Sequence, residues 1–317
     1  MRRIKGIFII LFGIISTMLF AYNPVNYIFD NGIYEREIIV ETPPKRAITL
    51  AQFMTEMLFA LDLEDRMIGT VPNDGDIYEK FKEKYEKVPV LNIGDGHSLL
   101  SKEAFVAMKA DFTAGWERAI SEEGTGSIDE LLERGTVPFV SKGLEPDATI
   151  ESIYDDFRLL GKIFNVSDKA QKVIESMKRQ IKKITEITDK IAEDKKVRVL
   201  IYDSGEGEAF VGGSGLPTDL VRLAGGNNIF KDLGQDYGTV SFESIIERNP
   251  QIIIVTEYYT GISANEKIEF IKNHPSLKKT DAVKNNKIYK IGLIELSPGI
   301  RNSEAVEKMY DMFYGEK

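Results

Sequence analysis

The sequence predicts an α/β protein of two lobes, each with a mostly parallel sheet, joined by a long rigid helix, with a ligand cleft between the lobes. Three observations favour this fold class. Strand and helix patterns alternate along residues 47–140 and again along residues 197–313. Between them, residues 149–193 hold long helical patterns with almost no glycine or proline. The chain has 317 residues, 43% hydrophobic and 29% charged, which is enough for two cores.

The first 21 residues have the order of a secretory signal peptide. Arg2, Arg3 and Lys5 make a basic start, residues 7–20 are mostly apolar, and the small residue Ala21 marks a cleavage point. The alternative is an uncleaved membrane anchor, but the apolar run is shorter than the ~20 residues that span a bilayer. The sequence has no cysteine, which excludes a lipoprotein anchor. We therefore expect a free periplasmic protein.

The charge balance narrows the range of partners. Cleavage after residue 21 leaves 38 basic and 50 acidic side chains, a net charge of −12. Such a chain is repelled by nucleic acid and by anionic membrane surfaces, and it suits docking to a basic protein face. We expect a monomer that binds no nucleic acid.

Residues 22–148 predict an N-terminal α/β lobe that begins with a hairpin. The turn residues Asp30, Asn31 and Gly32 separate two extended arms, and Pro43 and Pro44 end the second arm. Strands are then predicted at 47–50, 67–71, 112–114 and 137–140, with helices at 54–61, 102–109 and 128–134. Alternation of this kind is typical of a Rossmann-like lobe.

Residues 149–195 predict the helical link, and residues 196–317 a C-terminal α/β lobe. In the link, Ile153, Phe157, Leu160 and Phe164 recur at helical spacing, with a brief break at 165–168. A segment of this length does not fit as a crossover within one compact sheet. The second lobe has predicted strands at 197–202, 252–256 and 288–291 and helices at 217–224, 242–248, 267–272 and 302–313.

One internal similarity relates the two lobes. Ser101 and Glu103 open a helix that leads into the strand at 112, and Ser241 and Glu243 open a helix that leads into the strand at 252. Each serine is a natural N-cap, and each glutamate falls in the first helical turn. Two lobes of one plan enclose a cleft at the carboxyl ends of their strands, where ligands bind.

Several segments together resemble the helical-backbone, or class III, periplasmic binding proteins. The resemblance lies in residues 44–50 and 55–61, in residues 109–112, where Ala110 replaces the usual proline, and in residues 224–230, 240–243 and 248–254. Proteins of this class serve ABC importers of iron-siderophores, haem and vitamin B12. The resemblance runs from about residue 43 to the C-terminus, and it does not identify the ligand.

The resemblance implies a docking role for the two glutamates. At these motif positions the family uses one glutamate per lobe to form salt bridges with arginines of the membrane permease, which makes Glu103 and Glu243 the predicted docking residues. Two carboxylates on exposed helix starts also form a two-point contact that a basic partner can recognise. The alternative is that each only stabilises its own helix dipole.

Ten residues are predicted to contact the ligand. Trp116, the only tryptophan, follows a strand, and the family's B12-binding member has a tryptophan against its ligand at the matching place. The others lie where strands end, before the helix that carries Glu243, or before the last helix: Gln52, Phe53, Tyr202, Asp203, Tyr237, Tyr258, Tyr259, Glu295 and Arg301. For any tyrosine the alternative is a packing role, and for Glu295 and Arg301 it is an ion pair between them.

The predicted ligand is a small-molecule solute, and no cofactor or side-chain metal site is expected. The two histidines, His97 and His274, cannot build the zinc or manganese sites that use several histidines. A bare ferric ion held by tyrosines and carboxylates remains open, and a chelated metal is favoured. Residues 212–215 are glycine-rich but lack the lysine of a phosphate-binding loop.

The sequence therefore predicts a binding protein and not an enzyme. It would capture an iron chelate, haem or a B12-like corrinoid and deliver it to an ABC permease in the inner membrane, with its separate ATPase. The alternatives are a membrane-tethered sensory receptor domain and a non-catalytic metal-binding protein of the same fold. A metal-cluster reductase is disfavoured, because such clusters rely on cysteine ligands and this chain has none.

Overall fold

The computed structural model describes residues 22–93 and 99–315. The predicted signal peptide and His97 lie outside these ranges. The described chain forms a hairpin, a four-stranded sheet, a pair of linking helices and a six-stranded sheet. No helix in the described ranges is both long and apolar enough to cross a membrane.

The predicted hairpin is confirmed, and it packs against the first sheet. Strands β1 (Val25–Asp30) and β2 (Glu35–Val40) pair antiparallel. The side chains of Asp30 and Asn31 accept hydrogen bonds from the backbone N–H groups of residues 32–34, which fixes the turn. The inward face buries Ile38 and Val40, and the Tyr27 hydroxyl donates to the carbonyl of Pro138.

The first sheet is wholly parallel, with the strand order β4-β3-β5-β6. Its elements are β3 (Ala47–Thr49), α1 (Gln52–Ala60), β4 (Met67–Thr70), α2 (Lys82–Tyr85), α3 (Lys102–Met108), β5 (Phe112–Gly115), α4 (Ile128–Glu133) and β6 (Val137–Val140). Because all four strands run the same way, their carboxyl ends meet at one edge, where α1 and the loop after β5 begin.

The link consists of two packed helices, α5 (Ile150–Ile163) and α6 (Ser167–Thr188). The chain turns between them at Asn165, whose φ of 57° is left-handed, and the N–H of Val166 caps the carbonyl of Gly161. Gly161 allows the close approach, because a Cβ there would lie 2.6 Å from the Cβ of Ala170. The predicted apolar stripe is the buried face of both helices.

The second sheet is mixed, with the order β10-β8-β7-β11-β12 and β9 beside the start of β7. Its elements are β7 (Val197–Ser204), β8 (Ala209–Gly212), α7 (Leu216–Leu223), β9 (Gly226–Asn228), β10 (Tyr237–Val240), α8 (Phe242–Arg248), β11 (Ile252–Glu257), α9 (Ala264–Asn273), α10 (Asp281–Lys284), β12 (Ile288–Gly292), α11 (Leu293–Leu296) and α12 (Asn302–Tyr314). Strands β7, β9, β11 and β12 are parallel, and β8 runs antiparallel to β7 and β10.

The core crosses from one sheet to the other through the helical link. On β7, Val199 and Ile201 belong to a hydrophobic cluster that also contains the buried residues of the first sheet, α5, α6 and α12. Leu200 and Tyr202 point to the opposite face and pack in a second cluster with residues of α8 and α9. Because side chains alternate along a strand, one face of β7 packs in the cluster that both sheets share, and the other face packs in the cluster of the second lobe alone.

Candidate functional site

The two similar helix starts are built alike in the structure. The side chains of Ser101 and Ser241 accept hydrogen bonds from Ala104 N–H and Ser244 N–H, so both serines are N-caps. Glu103 and Glu243 follow in the first turn of α3 and α8, and both are exposed. The paired geometry that the sequence predicts is therefore present, and the docking role remains a prediction.

The similarity extends to the other end of these helices. Both α3 and α8 are capped by a left-handed residue, Lys109 or Asn249. The Nε of Arg46 donates to the Lys109 carbonyl at 3.0 Å, and the Nε of Arg198 donates to the Asn249 carbonyl at 2.8 Å. Each exposed glutamate therefore lies on a helix whose C-terminal end is fixed by hydrogen bonds from an arginine of the neighbouring strand segment.

A cavity of about 400 Å³ lies between the two sheets, at the carboxyl ends of their strands. Trp116 follows β5 of the first sheet, while Asp203 on β7 and Tyr258 after β11 belong to the second. The lining residues are Trp116, Gly143, Leu144, Asp203, Phe210, Pro217, Asp236, Tyr237, Tyr258, Leu293, Leu296, Ser297 and Pro298. Both its volume and its mainly apolar lining are typical of a small-molecule site.

The first lobe and the segment before α12 supply the apolar part of the lining. The Trp116 ring is held edge-on by Phe53, with ring centroids 4.9 Å apart. Gly143 approaches Pro298 so closely that a Cβ at this position would lie 2.8 Å from the proline ring. This wall therefore presents an indole and aliphatic side chains to the cavity.

A buried carboxyl group holds the loop that carries Gly143. Asp156 on α5 accepts hydrogen bonds from the Ser141 hydroxyl and, at 3.1 Å, from the Lys142 N–H. Complete burial raises the pKa of Asp156 to about 7, and these hydrogen bonds only partly oppose the rise. The loop at the cleft wall is thus tied to the linking helix α5.

The second lobe supplies the polar part of the lining, centred on Asp203. The Asp203 carboxylate accepts hydrogen bonds from the Thr256 hydroxyl at 2.6 Å, the Ser204 hydroxyl at 3.0 Å and the Tyr258 hydroxyl at 3.4 Å. Behind the Tyr258 ring lies the buried Lys267, whose Nζ is 4.1 Å from the ring centroid and donates to the Thr256 carbonyl. Burial lowers the pKa of Lys267.

Tyr237 brings an unsatisfied hydroxyl to the cavity. Its ring stacks on Phe210 with centroids 5.8 Å apart, and its buried Oη has no hydrogen-bond partner in the described structure. Burial raises the pKa of Tyr237, and neighbouring Asp203 and Asp236 raise it further. Burial also raises the pKa values of Tyr202 and Tyr258, so in the protein without a bound cation these phenols are protonated at neutral pH.

Four of the ten predicted ligand residues line this cavity: Trp116, Asp203, Tyr237 and Tyr258. Phe53 lies behind Trp116, and the Tyr202 hydroxyl donates to the Gly205 carbonyl at 2.5 Å. Gln52 is buried, and its side-chain oxygen accepts from Asp74 N–H and Gly75 N–H at 3.0 Å, which shapes the loop beside the cleft.

Three other predicted ligand residues line a neighbouring cavity of about 730 Å³ that shares Tyr258 with the first. Tyr259 contacts the first lobe, because its N–H donates to the Asp74 carbonyl at 2.7 Å. The alternative of a Glu295–Arg301 ion pair is not what the structure has. Arg301 pairs with Glu56 of α1, and Glu295 pairs with Lys308.

The sequence prediction missed several residues of the lining. Phe210 lies on β8, and Asp236 directly precedes β10. The sequence around both strands is rich in glycine, so neither strand was predicted. Leu293, Leu296 and Pro298 were also missed, since aliphatic residues before a helix cannot be told from core residues by their pattern. The signal that could have found them is position, because β12 ends at the same sheet edge as β7 and β11.

The described ranges contain no group of three or more histidine, cysteine, aspartate or glutamate residues that could hold a metal ion. The arrangement is that of a receptor: two lobes, an aromatic cleft at their strand ends, and a polar cluster on one wall. This is the class of two-lobed solute-binding proteins.

Comparison with known sequences agrees with that class. Residues 48–293 match the model of the periplasmic binding protein family, and the chain belongs to this family. The "Uncharacterized ABC transporter substrate-binding lipoprotein YvrC" of Bacillus subtilis is 23% identical over 282 residues, 88% of this chain and 83% of its own. The "Vitamin B12-binding protein" of Salmonella typhimurium is 27% identical over 212 residues, 66% and 71% of the two chains.

Solved structures show the same fold. A periplasmic binding protein from Veillonella parvula superposes with a TM-score of 0.84 at 29% identity, covering 93% of this chain and 99% of its own. The haem-binding protein HutB of Vibrio cholerae has a TM-score of 0.66 at 20% identity, covering 85% and 98%. The predicted fold class, two α/β lobes around a cleft, is confirmed.

Proposed function

We propose that this chain is the extracytoplasmic substrate-binding protein of an ABC importer, and that it captures a metal chelate such as an iron chelate, haem or a corrinoid. The observation that carries the proposal is the cleft itself, in which Trp116 of one lobe faces Asp203, Tyr237 and Tyr258 of the other. Relatives named for transporter substrate binding and for vitamin B12 binding support it.

The cleft geometry favours a large, partly flat ligand. Trp116 and Phe210 offer ring faces or edges, while the polar cluster on the second lobe fixes the orientation of the ligand by hydrogen bonds. The first cavity shares Trp116 with a smaller one of about 170 Å³ and Tyr258 with the larger one. A ligand bigger than the first cavity therefore has room on both sides.

Delivery requires a permease, and Glu103 and Glu243 are the proposed contacts. The exposed carboxylates sit on matched helices of the two lobes, so one basic partner face would meet both lobes at once. The absence of cysteine supports a free periplasmic protein, unlike the B. subtilis relative that is named a lipoprotein. A monomer with a separate permease and ATPase is the proposed assembly.

Ligand capture is tested by titrating the purified protein with cyanocobalamin, hemin and a ferric hydroxamate. Because Trp116 is the only tryptophan and lines the cleft, its fluorescence should be quenched in a saturable manner, with a matching rise in Tm. Calorimetry on the same samples separates binding from optical absorption by the ligand. No saturable binding to any member of the panel would refute the proposed ligand range.

Docking is tested separately with the double variant Glu103→Gln, Glu243→Gln. Ligand affinity should be unchanged, while ligand uptake through the importer should fall by roughly tenfold or more, as expected when two interfacial charge pairs are lost. The matched control is Glu133→Gln with Glu247→Gln, which removes one exposed carboxylate from the C-terminal end of α4 in the first lobe and one from that of α8 in the second. Undiminished uptake in the first double variant would disprove the docking assignment.

A further inference from the structure

The cleft carries an unbalanced charge. Two carboxylates, Asp203 and Asp236, line the main cavity, and none of the described residues that line it is a lysine, arginine or histidine. The neighbouring cavity holds three cations, but each has its own carboxylate: Lys290 pairs with Glu257, Lys308 with Glu295 and Arg301 with Glu56. Of the two cavities that share Tyr258, the main one is therefore the one whose lining has negative charge in excess.

The two carboxylates differ in how far the protein satisfies them. Asp203 accepts three side-chain hydrogen bonds and has the buried Lys267 behind the adjacent Tyr258 ring. Within the described ranges the Asp236 carboxylate accepts one hydrogen bond, from the N–H of Tyr237 at 2.9 Å. A carboxylate has about four acceptor sites, so Asp236 keeps spare capacity for donors on a ligand.

Tyr237 adds the complementary requirement. Its buried Oη lacks a partner in the described structure, and a buried hydroxyl without a partner is costly until a ligand supplies an acceptor. The second-lobe side of the cavity is therefore best matched by a ligand that places N–H donors opposite Asp236 and a carbonyl-type acceptor opposite Tyr237. A primary or secondary amide on the ligand rim provides both groups, whereas a carboxylate provides acceptors only and meets like charge.

We infer that Asp236, together with Asp203, makes the cleft a charge filter, which selects chelates whose rim carries amides and disfavours chelates whose rim carries carboxylates. Asp236 is the specificity-determining residue of the pair, because among the described residues its carboxylate accepts only the Tyr237 N–H, whereas Asp203 has Lys267 behind the adjacent ring. The inference rests on the proposed function, since it names the ligand chemistry of the same cleft. The filter acts on the rim groups of the ligand and not on its metal.

The test uses pairs of probes that differ only in their rim. One pair is dicyanocobinamide, with amides, and dicyanocobyrinic acid, with carboxylates; the other is hemin dimethyl ester and hemin. In whichever pair the protein binds, calorimetry with the full chain should show that the probe with the uncharged rim binds roughly tenfold tighter or more than the probe with the carboxylate rim. The variant Asp236→Asn should narrow that ratio by about fivefold to tenfold, chiefly by gaining affinity for the carboxylate member.

Asp203→Asn should narrow the ratio less, because Lys267 already offsets part of the Asp203 charge. The matched control is Glu269→Gln, which removes the same charge from an exposed position on α9 of the same lobe and should leave the ratio unchanged. A gain in affinity cannot arise from misfolding, so a damaged variant would not imitate the expected result.

Two outcomes overturn the inference and are distinguishable from each other. If both members of a pair bind equally well, or if Asp236→Asn leaves their ratio as it was, the charge filter is wrong while the receptor function stands. If neither pair binds at all, corrinoids and haem drop out of the proposed ligand range and the filter falls with them, while the ferric hydroxamate titration decides whether the receptor function stands.

Discussion

The ion pair between Arg301 and Glu56 gives the sharpest prediction, because sequence and structure assign Arg301 different roles. In the structure its Nε donates to Glu56 Oε2 at 2.7 Å, a second nitrogen donates to Oε1, and the same guanidinium donates to the Asp76 carbonyl at 2.7 Å. The side chains are only 13% and 2% exposed. The pair joins α1 of the first lobe to the segment before α12, so it acts between lobes.

Replacing Arg301 by methionine should cost about 3–5 kcal/mol of unfolding free energy, since it leaves a buried carboxylate without its cation. Among the described residues, Glu56 would keep the hydrogen bonds from Gln52 Nε2 and Tyr78 N–H, both at 3.2 Å. The double variant Arg301→Met, Glu56→Gln should recover part of the loss, with a coupling energy of roughly 1–3 kcal/mol.

The assay is urea unfolding followed by far-ultraviolet circular dichroism, with ligand affinity measured on the same variants. Lys308→Met is the matched control, because its pair with Glu295 has 45% and 20% exposed side chains and should be worth ~1 kcal/mol or less. A cost below about 1 kcal/mol for Arg301→Met would refute the buried-pair reasoning. Lost ligand affinity at full stability would instead restore Arg301 as a ligand contact.

Three further predictions concern single side chains. Asp156 has a folded-state pKa of about 7 against a usual value of 3.8, so the folded protein holds this proton more tightly than the unfolded chain does. The unfolding free energy should therefore be highest at low pH and fall by about 2–3 kcal/mol between pH 5 and pH 8. The variant Asp156→Asn should flatten this pH dependence in urea titrations. Tyr237→Phe should leave the free protein as stable or up to about 2 kcal/mol more stable while weakening ligand binding about fivefold, opposite signs that a simple packing defect would not give. Gly161→Ala should destabilise by about 1–3 kcal/mol despite alanine's better helix propensity, because its Cβ meets Ala170; a stabilised variant in thermal unfolding would contradict the observed helix packing.

The sequence predicts best those elements whose side chains follow a strong local period. Strands β3, β5, β7 and β11 and helices α3 and α8 fall within a few residues of their predicted bounds, because burial on a strand or helix face imposes that period. The short strands β8, β9 and β10 were missed, since residues 205–215 and 225–238 are rich in glycine and resemble turns. There the sheet is held by backbone pairing, which leaves little side-chain pattern.

The site residues also differ in how well local sequence patterns predict them. Trp116, Asp203 and Tyr258 could be placed in the cleft because each follows or ends a strand, and strand ends of parallel sheets converge. Arg301 could not be placed, because its partner Glu56 is 245 residues away in the chain and no local pattern joins the two. Gln52 and Tyr259 are similar cases, since loop geometry decides which long polar side chain reaches a ligand.

The hydrophobic cluster that runs through α5 and α6 into both lobes has a consequence for the speed of capture. Wide opening of the cleft would disturb contacts such as that of Phe164, at the end of α5, with Phe112 of β5, whose ring centroids are 4.8 Å apart, and it would expose apolar surface that the two lobes now share. We therefore expect the free protein to keep nearly this shape, so that an arriving solute does not wait for a slow rearrangement. In stopped-flow mixing, the observed rate should rise linearly with ligand concentration, without the plateau that marks a rate-limiting conformational step.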